Sequence, residues 1–424
     1  MKNDFVAEIL RATGSLRAGD PAGATDIIKA ALSAGGLSHP GTSPNRADDV
    51  KPPREPGNAE KDCIESSVVA ELAGDVPEAT TGGQQGEAIR FPRLRKSLGG
   101  ALRTLSQGRK SLGLEGRRPV PARRGRVADL SMPEGAEFRD LTYACAAGAR
   151  RYRLYVPASA SEGLQGLVVM LHGCTQDPED FAVGTGMNAH AEEHRLLVAY
   201  PAQTGTDNPM CCWNWFRPDD QMRGAGEPAI ISGLTESLRD DFAIRRERVF
   251  IAGLSAGGAM AAIMAETYPD RYSAAGIHSG LAYGCANDVM SAFSAMQGQA
   301  AVQPPTGRTP PASGETPRFI VFHGSADTTV HPGNAERIIA GRRNASVRVE
   351  RFRQPASGES RGYMRTVATK ADGATVFETW IVDGAQHAWL GGNPNGSYSD
   401  PQGPNASAEM IRFFLAGAPT SRSS

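Results

Sequence analysis

The feature that most constrains the fold is the segment Val249-Phe250-Ile251-Ala252-Gly253-Leu254-Ser255-Ala256-Gly257-Gly258. A short apolar run, fit for a buried strand, passes directly into Gly-x-Ser-x-Gly, and a helical run from Ala259 to Thr267 follows. The five-residue pattern is weak by itself, because a chain with 49 glycines meets it by chance. In a strand–turn–helix context it has a physical meaning. A serine whose hydroxyl must stand clear above a sheet needs a sharp turn. That turn crowds the positions two residues to either side, so both are glycine. The helix that starts there points free N–H groups at negative charge developing on a substrate oxygen. Ala259, Ala261, Ala262 and Ala265 are small, which lets the helix lie close on the sheet. The segment predicts Ser255 as a nucleophile and the Ala256 N–H as one donor of an oxyanion hole.

Such a serine needs a base and a carboxylate, which in this context follow it in the order acid, then histidine. The histidines after Ser255 are His278, His323, His331 and His387. His278 closes the apolar run Ala274–Ile277 and reads as structural. His323 ends the run Phe319–Phe322, and Asp327 lies four residues on, in the loop beyond it. His387 lies on the loop after the run that ends at Val382. Ser255, Asp327 and His387 therefore all fall just beyond strand C-termini, at one edge of a sheet, where α/β sites form. Asp327 would hold His387 in the working tautomer and stabilise its cation. Asp383 is the rival acid, but it sits too near His387 in sequence to approach the far ring nitrogen easily. The second oxyanion donor should come from the loop after Leu167–Leu171, which reads His172-Gly173-Cys174-Thr175-Gln176; the Cys174 N–H is the candidate and His172 reads as structural.

From 132 to 418 apolar runs alternate with helical patterns. The runs are Leu167–Leu171, Leu196–Tyr200, Val249–Ala252, Phe319–Phe322 and Val376–Val382. Ile230, Ile231, Leu234 and Leu238 share one helical face after Pro228, and Ala406–Phe414 suits a closing helix. Glu137–Tyr143 and Arg151–Val156 read as an antiparallel hairpin at one edge. The fold class expected is α/β, an α/β-hydrolase fold with a mostly parallel sheet flanked by helices. Residues 1–36 predict a helical hairpin: Phe5, Val6, Ile9 and Leu10 recur at helical spacing, and after the break at Gly19 a second helix starts with Asp20 as N-cap and Pro21 in its first position. Residues 37–131 are rich in Gly, Pro, Ser, Glu and Arg and poor in aromatics, the composition of a disordered linker. Within it, residues 90–126 hold twelve Lys or Arg against the single acid Glu115. That stretch reads as a solvated basic linker; the alternative is a basic, surface-binding helix with Leu94, Leu98, Leu102 and Leu105 on one face, which Gly99 and Gly100 weaken.

A chain of 424 residues, 40% hydrophobic and 21% charged, has room for a large core and for more than one domain. The net charge of -1 argues against a protein that binds nucleic acid over its whole surface. No stretch reaches the ~20 apolar residues of a membrane span. The first residues lack an apolar h-region and carry Asp4 and Glu8, so no secretory signal is expected and cytoplasmic residence is the default. Six cysteines without C-x-x-C spacing argue against zinc or thioredoxin-like chemistry. No metal site or nucleotide loop competes, so no cofactor is expected.

Leu171-His172-Gly173-Cys174-Thr175-Gln176, Cys212-Trp213-Asn214-Trp215-Phe216, Gly253-Leu254-Ser255-Ala256-Gly257-Gly258, His323-Gly324 with Asp327, His387-Ala388-Trp389, Gly396-Ser397-Tyr398 and Asp400-Pro401 occur in this order. Together they resemble the polyhydroxybutyrate depolymerase family of esterases, over about Phe138 to Phe414. The resemblance implies an α/β-hydrolase that cleaves esters of short 3-hydroxyacids, with Ser255, Asp327 and His387 as its triad. Its expected partner is an ester polymer or oligomer, with a storage-granule surface as the setting. Feruloyl and acetylxylan esterases share the family and give the alternative substrate class. A granule-associated protein of hydrolase fold without turnover is the third reading. Many family members are secreted, which makes an extracellular location the alternative. Trp213, Trp215 and Phe216 form an aromatic cluster, either core or acyl pocket, with Trp213 the candidate for substrate contact. Cys174, Cys211, Cys212 and Cys285 fall near the predicted site, and an oxidising compartment would allow one disulfide among them.

Overall fold

The apolar runs become the centre of one sheet. In the computed structural model, which describes residues 126, 130, 132–299, 316–343 and 346–416, ten strands pair side by side. The helical hairpin expected at 1–36 and nearly all of the linker expected at 37–131 lie outside the described residues. The strands are β1 (Glu137–Cys145), β2 (Gly148–Val156), β3 (Gly166–Leu171), β4 (Leu196–Pro201), β5 (Val249–Leu254), β6 (Ala274–His278), β7 (Arg318–Gly324), β8 (Arg348–Gln354), β9 (Tyr363–Thr369) and β10 (Thr375–Val382). Their order is β1-β2-β4-β3-β5-β6-β7-β10-β9-β8. β3 to β7 and β10 run parallel. An antiparallel pair closes each side, β2 with β1 and β9 with β8.

The central strands are continuous apolar runs because they are covered on both faces. Every residue of β3, β4, β5 and β6 is buried. One face packs against α3 (Gly226–Asp241), α4 (Ala256–Thr267), α5 (Val289–Met296) and α6 (Gly333–Ile339). The other packs against α1 (Pro178–Thr185), α2 (Met187–His194) and α7 (Ala406–Ala416). Ile230, Ile231, Leu234 and Leu238 form the buried stripe of α3, and Met410, Ile411, Phe413 and Phe414 that of α7. Asp177 caps α1 by accepting the Asp180 N–H at 2.8 Å, and Pro178 takes the first helical position. This is the α/β-hydrolase fold with helices on both faces of a mostly parallel sheet.

The expected edge hairpin forms as β1 and β2, with Glu137 opposite Val156. β8 and β9 were not expected from the sequence. Arg348-Val349-Glu350-Arg351-Phe352-Arg353-Gln354 is almost wholly exposed, so it carries no apolar run to read. It becomes a strand because β9 supplies its hydrogen-bonding partner, which is a tertiary and not a local cause.

The side of β6 that faces α7 shows how tightly these layers meet. A Cβ at Gly276 would lie 2.6 Å from the Met410 sulfur, and Met410 is fully buried. Met410→Ala should therefore lower unfolding stability by about 2–5 kcal/mol, the range for deleting a buried Met side chain. Denaturant unfolding measures it; a loss below about 0.5 kcal/mol would show that α7 does not pack on the sheet as described.

Candidate active site

Ser255 sits between the end of β5 and the start of α4, with φ 57° and ψ -118°. That region of backbone space is sparsely populated for a side-chain-bearing residue and costs of order 1–3 kcal/mol. Steric fit explains why the flanking residues are glycine. A Cβ at Gly257 would lie 2.0 Å from the Leu171 carbonyl oxygen, and one at Gly253 would lie 2.3 Å from the Gly257 carbonyl oxygen. β3, β5 and α4 thus meet backbone to backbone beneath the serine. The Ser255 N–H donates to the His278 carbonyl at 2.9 Å, tying the turn to β6. The Ser255 side chain is half-buried at the C-terminal edge of the sheet. Ala256 opens α4, so its N–H has no carbonyl within the helix to bond.

Asp327 follows β7, and His387 follows β10, the next strand in the sheet. The two loops are stitched together: the Ser325 N–H donates to the Val382 carbonyl at 2.8 Å and the Ala326 N–H to the Ala385 carbonyl at 3.0 Å. Gly324 is required at this crossing, since a Cβ there would lie 2.2 Å from the Ala385 carbonyl oxygen. His387 Nδ1 donates to Asp327 Oδ2 at 2.7 Å. The carboxylate's other oxygen accepts the Thr329 and Val330 N–H groups, both at 2.9 Å. Burial by itself would push the Asp327 carboxyl up. Hydrogen bonds from His323 and His387, with the charge of His387 and the Val330 N–H, outweigh it and hold the group well below the usual carboxylate range. Asp327 is therefore an ionised acceptor, and the proton on His387 sits at Nδ1. In the neutral imidazole this tautomer leaves the lone pair on Nε2, as a general base requires.

Asp383, the rival acid, faces away from this pair. It is half-buried and accepts two hydrogen bonds from Arg353 at 3.0 and 2.6 Å. His278 is fully buried; it accepts the Leu390 N–H at 3.1 Å and stacks on Trp389 with ring centres 5.0 Å apart. Burial, then the neighbouring charges of His323 and His387, hold its pKa far below the usual histidine range, so its ring is neutral. The ring packs under the segment that carries His387, which is a structural task. His323 was given no role from sequence. Its Nε2–H donates to the Val330 carbonyl at 2.8 Å and lies 3.5 Å from Asp327 Oδ2. It braces the loop of the acid, and its place four residues before Asp327 is the signal that would have found it.

The loop after β3 is held from several sides. The Gly173 N–H donates to Gln176 Oε1 at 2.9 Å, and Gln176 Nε2 donates to the Ser397 carbonyl at 3.1 Å. Buried Asp180 accepts the Ser397 N–H at 2.9 Å. The Thr175 N–H donates to the Met210 carbonyl at 2.7 Å. Among the four cysteines expected near the site, Cys174 and Cys212 form the disulfide, while Cys211 and Cys285 are free. Trp213 corrects the sequence reading. It is fully buried, donates from its indole N–H to the His172 carbonyl at 3.1 Å, and lies against the His172 ring. With no exposed surface it belongs to the core and not to an acyl pocket, and it fixes the loop after β3. Positive φ at non-glycine residues recurs in these loops, at Thr175, Cys211, Ser255, Ser279 and Tyr398. Strain gathered around one site fits a functional cause better than chance placement.

Among the described residues, no cluster of three or more His, Cys, Asp or Glu is arranged to hold a metal ion. Nor is any described helix long and apolar enough to cross a membrane. Residues 150–362, half of the chain, match the family model described as esterase PHB depolymerase. The chain is 33% identical over 241 residues to poly(3-hydroxyalkanoate) depolymerase C of Paucimonas lemoignei, covering 52% of this chain and 54% of that protein. It is 30% identical over 193 residues to a probable acetylxylan esterase A of Aspergillus clavatus, covering 43% and 61%. It is 29% identical over 188 residues to feruloyl esterase B of Thermothelomyces thermophilus, covering 41% and 62%. The chain thus spans between half and two thirds of the length of these relatives.

The two carboxylates separate by mutation. Asp327→Asn should lower kcat on a soluble ester by roughly 10³–10⁴, because the amide would reverse the tautomer of His387. Asp383→Asn removes only an exposed ion pair and should change kcat by less than about twofold. Steady-state rates of the two variants decide it; the reverse order would mean that the wrong carboxylate has been identified.

Proposed function

The chain belongs to the esterase PHB depolymerase family, and from that premise we propose that it is a serine esterase that hydrolyses short-chain poly(3-hydroxyalkanoates) or their oligomers through an acyl-enzyme. The observation that carries the reading is the 2.7 Å Asp327–His387 hydrogen bond, made at the same sheet edge on which the strained turn raises Ser255. Ser255 Oγ attacks the ester carbonyl and gives its proton to His387 Nε2. The negative charge moves to the carbonyl oxygen, where the Ala256 and Cys174 N–H groups donate to it. Asp327 stabilises the His387 cation, which then passes the proton to the departing alkoxide. Water, activated by the same imidazole, cleaves the acyl-enzyme and restores Ser255.

The 33% identity to a depolymerase supports the polymer substrate. The acetylxylan and feruloyl esterases among the relatives support a second substrate class, acetyl or feruloyl esters of polysaccharide. A hydrolase fold without turnover is disfavoured, since serine, histidine and acid are all present and the acid–base pair is formed. The Cys174–Cys212 bond supports an oxidising compartment over the cytoplasm, where thiols are kept reduced. The positive charge of residues 90–126 supports a tethering role on an anionic or apolar polymer surface, such as a storage granule.

Ser255→Ala should lower kcat by roughly 10⁴–10⁶ with the fold intact, the usual range for losing the nucleophile of a triad. A panel of 3-hydroxybutyrate oligomers, amorphous granules, and acetyl and feruloyl esters ranks the substrate classes by kcat/KM; highest values on a polysaccharide ester would favour the second class. A chain starting at Ser131 should keep its rate on p-nitrophenyl butyrate and lose activity selectively on granules. Moderate salt should reproduce that loss in the full chain by screening the basic segment. Equal rates of both chains on granules at low and high salt would refute the tethering role.

A further inference from the structure

One buried carboxylate stands outside the mechanism described so far. Glu227, in the first turn of α3, is only 3% exposed. Its Oε2 accepts the Asn214 N–H at 2.8 Å. Its Oε1 accepts Asn214 Nδ2 at 2.7 Å and the Gln203 side-chain amide, with Arg150 Nη2 of β2 at 3.6 Å. Both of its principal partners lead to the oxyanion loop. Gln203 donates its backbone N–H to His172 Nε2 at 3.0 Å and its side-chain amide to the Cys212 carbonyl at 3.0 Å. Cys212 is bonded to Cys174, and Trp213, next to Asn214, holds the His172 carbonyl.

Resting on the esterase reading, we propose that ionised Glu227 is a positioning residue for the oxyanion hole, fixing the loop of Cys174 through Gln203 and Asn214. Every hydrogen bond to the carboxylate comes from a donor, so the ionised form satisfies all of them. Protonation removes the negative charge and one acceptor site, so these charge-assisted bonds weaken. Gln203 cannot turn over to accept the carboxyl proton, because its amide oxygen already accepts the Thr204 N–H at 3.0 Å. Releasing the Gln203 side chain loosens its hold on the Cys212 carbonyl and on the backbone that bonds His172, and a shift of about 1 Å in an oxyanion donor can cost about 10²-fold in rate.

The carboxylate is not sealed from solvent. Glu227 lines an open cavity of about 410 Å³ with Arg150, Asp207, Asn214, Arg217 and Asp220. Its charged surroundings are Arg150 from β2, Asp207 beyond β4, and Arg217, Asp219 and Asp220 before α3; His172, behind Gln203, is held below the usual histidine range by its burial. Burial first, then the like charge of Asp220, push the Glu227 carboxyl up to about 7, and the Asn214, Gln203 and Arg150 contacts draw it back only in part. A carboxyl raised on folding favours the folded state below its ordinary range, and that contribution is lost as pH rises through about 7. Catalysis runs the other way, since the ionised form holds the loop.

The test is kcat and KM on p-nitrophenyl butyrate from pH 5 to 9 for the full-length parent, Glu227→Gln, Gln203→Met and Ser255→Ala. Glu227→Gln and Gln203→Met should each lower kcat by roughly 10- to 100-fold at pH 8, less than outright loss of an oxyanion donor, with KM changed by less than about threefold. The fall in kcat below neutral pH should lose one of its ionisations in Glu227→Gln and become shallower in Gln203→Met, where only the Asn214 route remains. A melting temperature that drops while kcat and the shape of the pH profile stay as in the parent would reduce Glu227 to a structural residue and overturn the proposal. Should Glu227→Gln fail to fold, Gln203→Met decides by the same criteria. Hydrolysis that persists in Ser255→Ala would instead overturn the esterase reading on which the proposal rests.

Discussion

The site depends on a place where three backbones touch. Leu171 at the end of β3, Gly253 at the end of β5 and Gly257 at the start of α4 approach so closely that a Cβ on either glycine would fall 2.0–2.3 Å from a carbonyl oxygen. Nothing larger than hydrogen fits, so the chain can turn sharply enough to hold Ser255 at φ 57°. The same approach brings the loop after β3 beside the first N–H groups of α4, where the proposed oxyanion hole would lie. The strain at Ser255, about 1–3 kcal/mol by its backbone region, persists because buried strands and the α4 helix over-determine it.

Around that contact the protein builds rigidity in two directions. On the β7 and β10 side, Gly324 lets the loop of Asp327 cross beneath Ala385, and Asp327 gathers donors from His387, Thr329 and Val330, while His323 braces the same loop through the Val330 carbonyl. Trp389 stacked on His278 then fixes the segment that follows His387. On the β3 and β4 side, Trp213, Gln176, Gln203 and the Cys174–Cys212 bond hold the oxyanion loop, with Glu227 behind them. Acid–base pair and oxyanion loop are thus fixed by separate networks, which meet at the segment 397–398: Ser397 is bonded to Gln176, and Tyr398 Oη lies 3.3 Å from Thr175 Oγ1.

What could be read from the sequence follows from how local each cause is. The elbow was legible because a steric demand at Gly253 and Gly257 is written in residue identity. The central strands were legible because burial on both faces requires unbroken apolar runs, as in Val249–Leu254. Asp327 and His387 could be placed because chain order and strand ends fix them on one edge. Causes that act only through the folded chain left no such mark. β8 is polar and exposed and takes its form from its neighbour. Trp213 reads equally as core or pocket until its indole N–H is seen on the His172 carbonyl. The choice of Cys174 with Cys212, 38 residues apart, depends on two loops meeting above the sheet. Glu227 gave no signal at all, because a glutamate in the first turn of a helix is ordinary until its burial is known.

The proposed mechanism requires Ser255 to carry the acyl group during turnover. Mixing the protein with excess p-nitrophenyl butyrate, quenching in acid within the first turnover and mapping peptides by mass spectrometry measures it directly. The predicted result is one butyryl group per active chain, on the peptide containing Ser255 and fragmenting to that residue, with a matching burst of p-nitrophenol. A burst with the butyryl group on another residue, or steady hydrolysis with no covalent adduct on stalling deacylation at low pH, would contradict it.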